Sequence, residues 1–119
     1  MGVRFNIDKD KIELILEYNF SIDDVIHTAD RAISQTVSPL PILVDTTNSY
    51  ETKPQEDLEE FANYLGTKRE HIVPRVAILV SHEVRFGIGR QVGAYLEMNG
   101  IESKPFYDKV EALDWLSEK

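Results

Sequence analysis

The sequence contains no cysteine, and this absence excludes a disulfide framework, a thiolate metal site and a cysteine nucleophile. Basic residues are also few: 13 Lys and Arg stand against 21 Asp and Glu, so the formal net charge is −8. Nucleic acids and anionic membranes attract basic surfaces, and the charge balance therefore argues against both as partners. No apolar run approaches the roughly 20 residues of a membrane-spanning helix, and the first residues lack the apolar segment of a secretory signal. We expect a cytoplasmic protein without a membrane span.

Apolar residues are plentiful enough for a folded chain. They make up 42% of the 119 residues, which is too large a share for a disordered chain, and this length suits one compact domain. No internal repeat, low-complexity tract or linker interrupts the sequence. We therefore predict a single domain over residues 1–119.

Alternating apolar and polar residues at the start of the chain predict an antiparallel hairpin. Residues 3–8 and residues 12–18 each alternate with a period of two, which is typical of half-buried strands. A short polar connection between them suits antiparallel neighbours.

Helices and strands alternate through the rest of the chain. Apolar residues at helical spacing predict helices, and short β-branched runs predict strands that are covered on both faces. The predicted order is helix 21–36, strand 41–45, helix 54–65, strand 75–81, helix 82–99, strand 103–107 and helix 108–116. The order ββαβαβαβα predicts an α/β fold with a mixed β-sheet, in which an N-terminal antiparallel hairpin precedes parallel βαβ units. Pro105 places the last strand at a sheet edge.

Polar residues follow three of the predicted strands, at the edge of the sheet where ligands gather in open α/β folds. The richest segment, residues 45–49, is predicted to be a loop, and its side chains can form a site or satisfy the backbone groups of a turn. His82 follows another strand, where it can carry a proton beside Asp45 or Asp108, or cap a helix in contact with solvent.

Three further features bear on the candidate site. Arg85 and Arg90 lie at the start of the third helix, where they can meet an anion or an acidic partner or simply face solvent. The histidines lack metal-ligand spacing, so we predict no metal site and no cofactor. The glycines of residues 87–93 begin too far inside the helix for a dinucleotide fingerprint, and we expect them to allow a close approach of the helix to the sheet or a partner.

Two segments carry a resemblance to a known family. One is the run Ile78-Leu79-Val80-Ser81 that leads into Phe86-Gly87-Ile88-Gly89-Arg90, and the other is Lys104-Pro105-Phe106-Tyr107-Asp108 followed by Glu111-Ala112-Leu113-Asp114-Trp115-Leu116. Together with the element order, these segments resemble the STAS fold of anti-sigma-factor antagonists, and specifically the small SpoIIAA-like (STAS/SEC14-like) domains. The resemblance implies a bacterial-type regulatory or ligand-binding module.

The same resemblance bears on the polar segment. Signalling STAS domains carry a phosphorylated Ser or Thr in an Asp-Ser-Ser/Thr-Gly segment after a central strand. By this resemblance Thr46 or Thr47 is the acceptor and Asp45 is its neighbour, while Asn48 stands in place of the glycine. SpoIIAA-like relatives generally lack the signature and resemble small lipid- or partner-binding modules.

Our leading hypothesis is a non-enzymatic STAS/SEC14-like module that binds a partner protein, a second copy of itself or an apolar small ligand. One alternative is a phospho-switch that uses Thr46, Thr47 or Ser49. Another is a small hydrolase or transferase that uses His82 with Asp45 or Asp108. The candidate pocket or partner surface consists of His82, Arg85, Arg90, Tyr107 and Asp108.

Overall fold

A computed structural model describes residues 2–49 and 53–118, and for residues 83–85 it describes the backbone alone. Within these residues the predicted order of strands and helices is confirmed, and a short 3₁₀ turn, Arg69–His71, follows the second helix. The elements are β1 (Val3–Ile7), β2 (Ile12–Tyr18), α1 (Ile22–Gln35), β3 (Ile42–Ser49), α2 (Gln55–Thr67), β4 (Arg75–Leu79), α3 (Glu83–Met98), β5 (Glu102–Phe106) and α4 (Lys109–Leu116).

The described strands form one mixed sheet in the order β1-β2-β3-β4-β5. β1 runs antiparallel to β2, and every other neighbouring pair is parallel, as the α/β prediction requires. The hairpin joins the parallel strands through β2, which pairs with β3. β5 lies at an edge, where Pro105 stands opposite Ile78 of β4, so the placement of this strand is confirmed.

The prediction that both hairpin strands are half-buried is wrong for β2. Its first five residues are all buried, including Glu13 and Ile15, which share the face that the alternation predicts to be exposed. β2 is an internal strand, and long side chains cover its second face. Lys109 reaches across from α4 to Glu13, and Arg4, which stands opposite Ile15, pairs with Glu17.

The prediction that residues 45–49 form a loop is also wrong, because β3 continues to Ser49. A bulge in β3 shifts the register of this pair, because β3 advances three residues from Asp45 to Asn48 while β2 advances two from Ile15 to Glu17. Ile15 stands opposite Asp45, whereas Glu17 stands opposite Asn48, so the polar residues of β3 still find a hydrogen-bonding strand beside them. The following helix begins at Gln55 with Pro54 at its N-cap position.

Apolar side chains form a separate core on each face of the sheet. On one face, which we call the three-helix face, α1, α2 and α3 cover β2, β3 and β4. On the other, which we call the α4 face, the single helix α4 covers β3, β4 and β5. The α4-face core consists of Leu43, Ala77, Leu79, Phe106, Ala112 and Leu116.

Helix α3 lies close to β4 and β5, and glycine permits this approach. A Cβ atom added at Gly89 would lie 3.0 Å from the Cβ of Pro105 and 3.6 Å from Ile78 Cγ2, whereas one added at Gly87 would meet nothing within 4 Å. The expectation that a glycine of this helix allows close packing on the sheet is therefore confirmed for Gly89.

Candidate functional site

The carboxyl-terminal halves of β2, β3 and β4 lie side by side on the three-helix face and line a cavity of about 80 Å³. The remaining walls come from the first turns of α1 and α2 and from α3, so the helices converge over the strand ends where open α/β sheets bind ligands. The lining residues are Leu16, Phe20, Ile22, Val25, Val44, Thr46, Ser49, Lys53, Leu58, Phe61, Ile78, Val80, Ile88, Gly89 and Val92.

The cavity has an apolar floor and a half-exposed mouth. Leu16, Val44 and Ile78 of three adjacent strands are buried and form the floor. Ile22 of α1 and Ile88 of α3 also line the cavity, and both are only half-buried. This shape admits an apolar group from outside rather than sealing a void in the core.

A cation stands beside this cavity. The ammonium of Lys53 lies 4.7 Å from the centroid of the Phe20 ring, and both side chains line the cavity. A cation held over an aromatic face at this distance is attracted by the negative face of the ring. Among the described residues that line the cavity, Lys53 is the charged one.

Two hydroxyl groups of β3 line the cavity. The Thr46 hydroxyl donates to the Leu79 carbonyl at 2.8 Å, so its oxygen retains only acceptor capacity. The Ser49 side chain is 3% exposed, and within the described residues its Oγ has no hydrogen-bonding partner. Because buried polar groups are normally hydrogen-bonded, Ser49 Oγ is a donor that lacks an acceptor in this region.

The candidate phospho-acceptor residues are therefore engaged in the sheet. Both the backbone N–H and the hydroxyl of Thr47 donate to Asp45 Oδ1, at 2.9 and 2.6 Å. Together with the bonded Thr46 and the buried Ser49, this leaves the segment inside β3, well before the first residue of α2 at Gln55. No hydroxyl of residues 46–49 lies at a helix N-terminus, where free N–H groups would stabilise an added phosphate.

The candidate partner surface divides into separate groups. Tyr107 is 52% exposed, and its ring stacks on that of Phe86 with the centroids 4.8 Å apart. The Arg90 guanidinium lies 5.6 Å from the centroid of the same Phe86 ring. We call Arg90, Phe86 and Tyr107 the aromatic stack. Phe86 is a member that the choice of site residues missed. The side chain of Arg85 lies outside the described residues.

His82 and Asp108 do not form a catalytic pair. His82 is exposed at the N-cap position of α3, and its side chain makes no capping hydrogen bond. Asp108 caps α4 by accepting from the Val110 N–H at 3.2 Å. Within the part of the chain that the structure describes, neither Asp108 nor Asp45 is hydrogen-bonded to His82.

A hydrogen-bonded link between α1 and α2 lies apart from the cavity. The Tyr64 hydroxyl donates to Asp30 Oδ1 at 2.8 Å, and Lys68 Nζ lies 3.3 Å from the same oxygen. The Tyr64 bond and then the Lys68 charge hold the pKa of Asp30 below its usual value. Burial, reinforced by the bond to Asp30, raises the pKa of Tyr64.

Over residues 2–49 and 53–118, no cluster of three or more His, Asp or Glu side chains is arranged to hold a metal ion. Over the same residues, no helix has the length and apolarity needed to span a bilayer.

The chain is similar to a known protein at the level of three-dimensional structure. No protein-family model matches the sequence, and no curated protein matches it. The crystal structure of an uncharacterized protein of the DUF3478 family, described as having a SpoIIAA-like fold and coming from Shewanella loihica PV-4, superposes with a TM-score of 0.62. The match covers 96% of this chain and 91% of that chain at 21% sequence identity.

This chain has the SpoIIAA-like fold. The resemblance inferred from element order and from the two packing segments is thereby confirmed at the level of the fold. The neighbour is itself uncharacterized, and a fold alone does not determine a function. The function of the SpoIIAA-like chain therefore has to be argued from its own side chains.

Proposed function

We propose that this SpoIIAA-like protein is a non-enzymatic binding module that takes up the apolar part of a small ligand in the cavity of the three-helix face. The observation that carries the proposal is the cavity itself. Protein interiors are packed as densely as organic crystals, so an apolar space with an accessible mouth at the strand ends is a candidate binding site.

The volume of the cavity limits the occupant. At about 80 Å³ it has roughly half the volume of an engineered apolar cavity of about 150 Å³ that binds benzene. A narrow apolar group fits, and the rest of a larger ligand would remain at the mouth.

The side chains considered for catalysis support a binding role. Nucleophilic and acid–base catalysis both require partners within hydrogen-bonding reach of each other. The carboxylate of Asp45 is occupied by Thr47, and that of Asp108 caps α4, so neither is positioned by His82 among the described residues.

Xenon is a suitable neutral probe because it enters dry apolar cavities without hydrogen bonding. We expect xenon to cause saturable chemical-shift changes at Val44, Ile78 and Val92 in the NMR spectrum of the protein. Ile88→Phe narrows the mouth and should abolish them. Val110→Phe, which makes an exposed aliphatic residue of α4 aromatic, should leave them unchanged. Absence of any saturable change in the wild-type protein would contradict the proposal.

A partner protein or a second copy of the chain is a second candidate, favoured by the aromatic stack. Tyr107 exposes half of its surface beside the charge of Arg90, and aromatic residues and Arg are enriched at interfaces. If this surface mediates self-association, Tyr107→Ser should shift the sedimentation coefficient to that of a monomer, and a wild-type protein that is monomeric at high concentration would exclude the dimer. The phospho-switch stays a prediction, and the burial of Ser49 weighs against it.

A further inference from the structure

We infer that the open edge of β5, beside the aromatic stack, binds an extended segment of a partner protein, which adds to the sheet as a strand and places a carboxylate beside Arg90. The inference rests on the second candidate function, the binding of a partner at the aromatic stack, and it does not involve the cavity. Three features of this edge carry it: its backbone groups, the groove beside it and the charge of Arg90.

The backbone of β5 presents hydrogen-bonding groups at the edge of the sheet. The Glu102 N–H donates to the Pro74 carbonyl at 3.0 Å, and the Phe106 carbonyl accepts from the residue after β4, so the even-numbered residues of the strand bond to the β4 side. The N–H and carbonyl of Ser103 and the carbonyl of Pro105 therefore face away from β4. Among the described residues these three groups have no hydrogen-bonding partner. An unpaired edge of this kind is a template for an added strand.

A groove runs beside this edge, between β5 and α3. Its walls include Arg90 and Glu97 from the helix and Ser103 and Pro105 from the strand. Arg90 also lies over the Phe86 ring, so the groove and the aromatic stack form one continuous surface. In strand addition, main-chain hydrogen bonds supply affinity, and contacts with alternate side chains of the added strand supply specificity. The groove and the stack provide such contacts on the α3 side of the edge.

Arg90 indicates the charge that the segment carries. Its side chain is exposed, and it forms no ion pair with a carboxylate of the described residues, whereas Arg75 is paired with Glu102. Glu97 lies two helical turns further along α3, about 10 Å away along the helix axis, so it leaves the Arg90 end of the groove positive. Guanidinium groups bind carboxylates through strong, charge-assisted hydrogen bonds. The exposed ring of Tyr107 suits an apolar side chain next to that carboxylate.

Pro105 favours a segment of another protein over a second copy of this chain. If β5 paired with itself about a two-fold axis at Pro105, the two prolines would face each other and both central hydrogen bonds would be lost. A different segment loses only the bond that a Pro105 N–H would have donated. α3 also packs closely on β5 at Gly89. Paired strands lie about 4.8 Å apart, whereas packed helices need about 8–10 Å, so the α3 helices of two joined copies would crowd each other.

A display library of random heptapeptides, selected on the full chain, tests the inference. We expect the enriched sequences to be rich in β-branched residues, which strands favour, and to share one Asp or Glu for Arg90. The best peptide would be synthesised and titrated into the protein while amide hydrogen exchange is followed by NMR. Binding should slow exchange of the Ser103 amide. Exchange at Phe5 and Ile7 of β1, at the opposite edge of the sheet, should not change.

Variants test the charge and the backbone contacts separately. Arg90→Met should weaken peptide binding about tenfold or more, and a peptide with Asn or Gln in place of its acid should lose this dependence on Arg90. Arg31→Met is the matched control, because Arg31 lies over the Phe5 ring, 5.5 Å from its centroid, beside the other edge of the sheet. Pro105→Ala keeps the Cβ that faces α3 and adds an N–H to the edge, so it should tighten binding about fivefold.

The outcomes separate this inference from the proposed function. If no peptide is enriched, or the selected peptide slows exchange at β1 and not at Ser103, strand addition at β5 is overturned, whatever the response of the cavity to xenon. If Arg90→Met binds the peptide as tightly as the wild type, the carboxylate assignment is overturned. If the Ser103 amide is protected without peptide as the protein concentration rises, a second copy is the occupant and the choice of partner is overturned. Binding that depends on Arg90 and tightens in Pro105→Ala supports the inference, even if xenon does not enter the cavity.

Discussion

The two faces of the sheet stabilise the fold by different means. On the three-helix face, three helices bury a continuous apolar cluster that also surrounds the cavity. On the α4 face, one short helix covers a small cluster and is held by polar contacts at both ends, from Lys109 to Glu13 and from Arg75 to the last turn. An extensive apolar core can contain a site, whereas a single helix depends on specific tethers to stay in place.

Truncating one leucine on each face tests this difference, and it is the change with the largest expected effect. Leu65→Ala on α2 removes a side chain with 0% exposure, and Leu116→Ala on α4 removes one with 6% exposure. Buried leucine-to-alanine changes cost about 2–5 kcal/mol. We expect Leu65→Ala near the top of this range and Leu116→Ala near the bottom, because the small α4 cluster can close around the lost volume.

Urea unfolding followed by circular dichroism would measure both free energies of unfolding. An equal or larger loss for Leu116→Ala would show that the α4 face contributes as much apolar stabilisation as the three-helix face.

The tether at Arg75 gives the next largest effect. Its Nη1 donates to the Trp115 carbonyl at 2.8 Å and to the Glu118 carbonyl at 3.0 Å, and its guanidinium lies 4.9 Å from the Trp115 ring centroid. Hydrogen bonds to a charged group contribute about 1.5–3 kcal/mol. Arg75→Met should therefore lower the free energy of unfolding by about that amount and speed amide hydrogen exchange across α4.

Arg75→Lys is the informative companion, because lysine keeps the charge but lacks the planar fork that bridges two carbonyl oxygens. The amide hydrogen exchange rate of α4 in Arg75→Lys should lie between those of the wild type and Arg75→Met. Unchanged exchange in α4 for both variants would mean that apolar contacts alone hold this helix.

Sequence patterns predicted the element order because each element is encoded locally. The capping of α1 by Ser21, for example, depends on a residue three positions away, and the Asp24 N–H donates to its Oγ at 3.0 Å. Arg75 could not be assigned in this way, because its partner Trp115 lies 40 positions further on and accepts through a backbone carbonyl that any residue carries.

The cavity was hidden for a similar reason. Leu16, Val44 and Ile78 have the spacing of ordinary core residues, and no local pattern distinguishes a close-packed core from one with a space in it. Ser49 is a polar candidate in the sequence, but the pattern predicts a loop there, because the polar residues 45–49 do not show that β3 stays paired with β2 across the bulge.

Two glycines of α3 make a smaller comparison, within the three-helix face. Glycine inside a helix costs about 0.5–1 kcal/mol relative to alanine. Gly87→Ala should raise the free energy of unfolding by about this amount, since the added methyl meets open space. Gly89→Ala should give no gain or a loss, because its methyl would press on Pro105 at 3.0 Å. Thermal unfolding resolves the pair, and equal stabilisation by both would show that α3 can move away from the sheet.

The α1–α2 link gives the smallest effect and shows how polar contacts serve the three-helix face. The pKa of Asp30 is lowered mainly by its bond from Tyr64, so the folded state holds the ionised form. The resulting stability is present above the ordinary pKa of 3.8 and is lost as the pH falls through the lower folded value. The pKa of Tyr64 is raised, so its share is present below its ordinary value of 10.0 and is lost as the pH rises through the folded value.

Unfolding measured across pH would check both directions. Asp30→Asn should reduce the loss of stability at acid pH, and Tyr64→Phe should reduce the loss at both acid and alkaline pH. Each change should amount to about 0.2–1 kcal/mol, because Asp30 is exposed and Tyr64 is only half-buried. Unaltered losses in both variants would show that the link has no energetic role.

The strand order β1-β2-β3-β4-β5 also has a consequence for folding during synthesis. Every strand pairs with the one synthesised before it, so each new strand can dock on an edge that already exists, with its crossover helix following the same path each time. Pairing in chain order makes each loop closure shorter than a pairing that skips a strand would need, and shorter closures favour faster folding. The sheet can therefore be assembled strand by strand in the order in which the strands are synthesised.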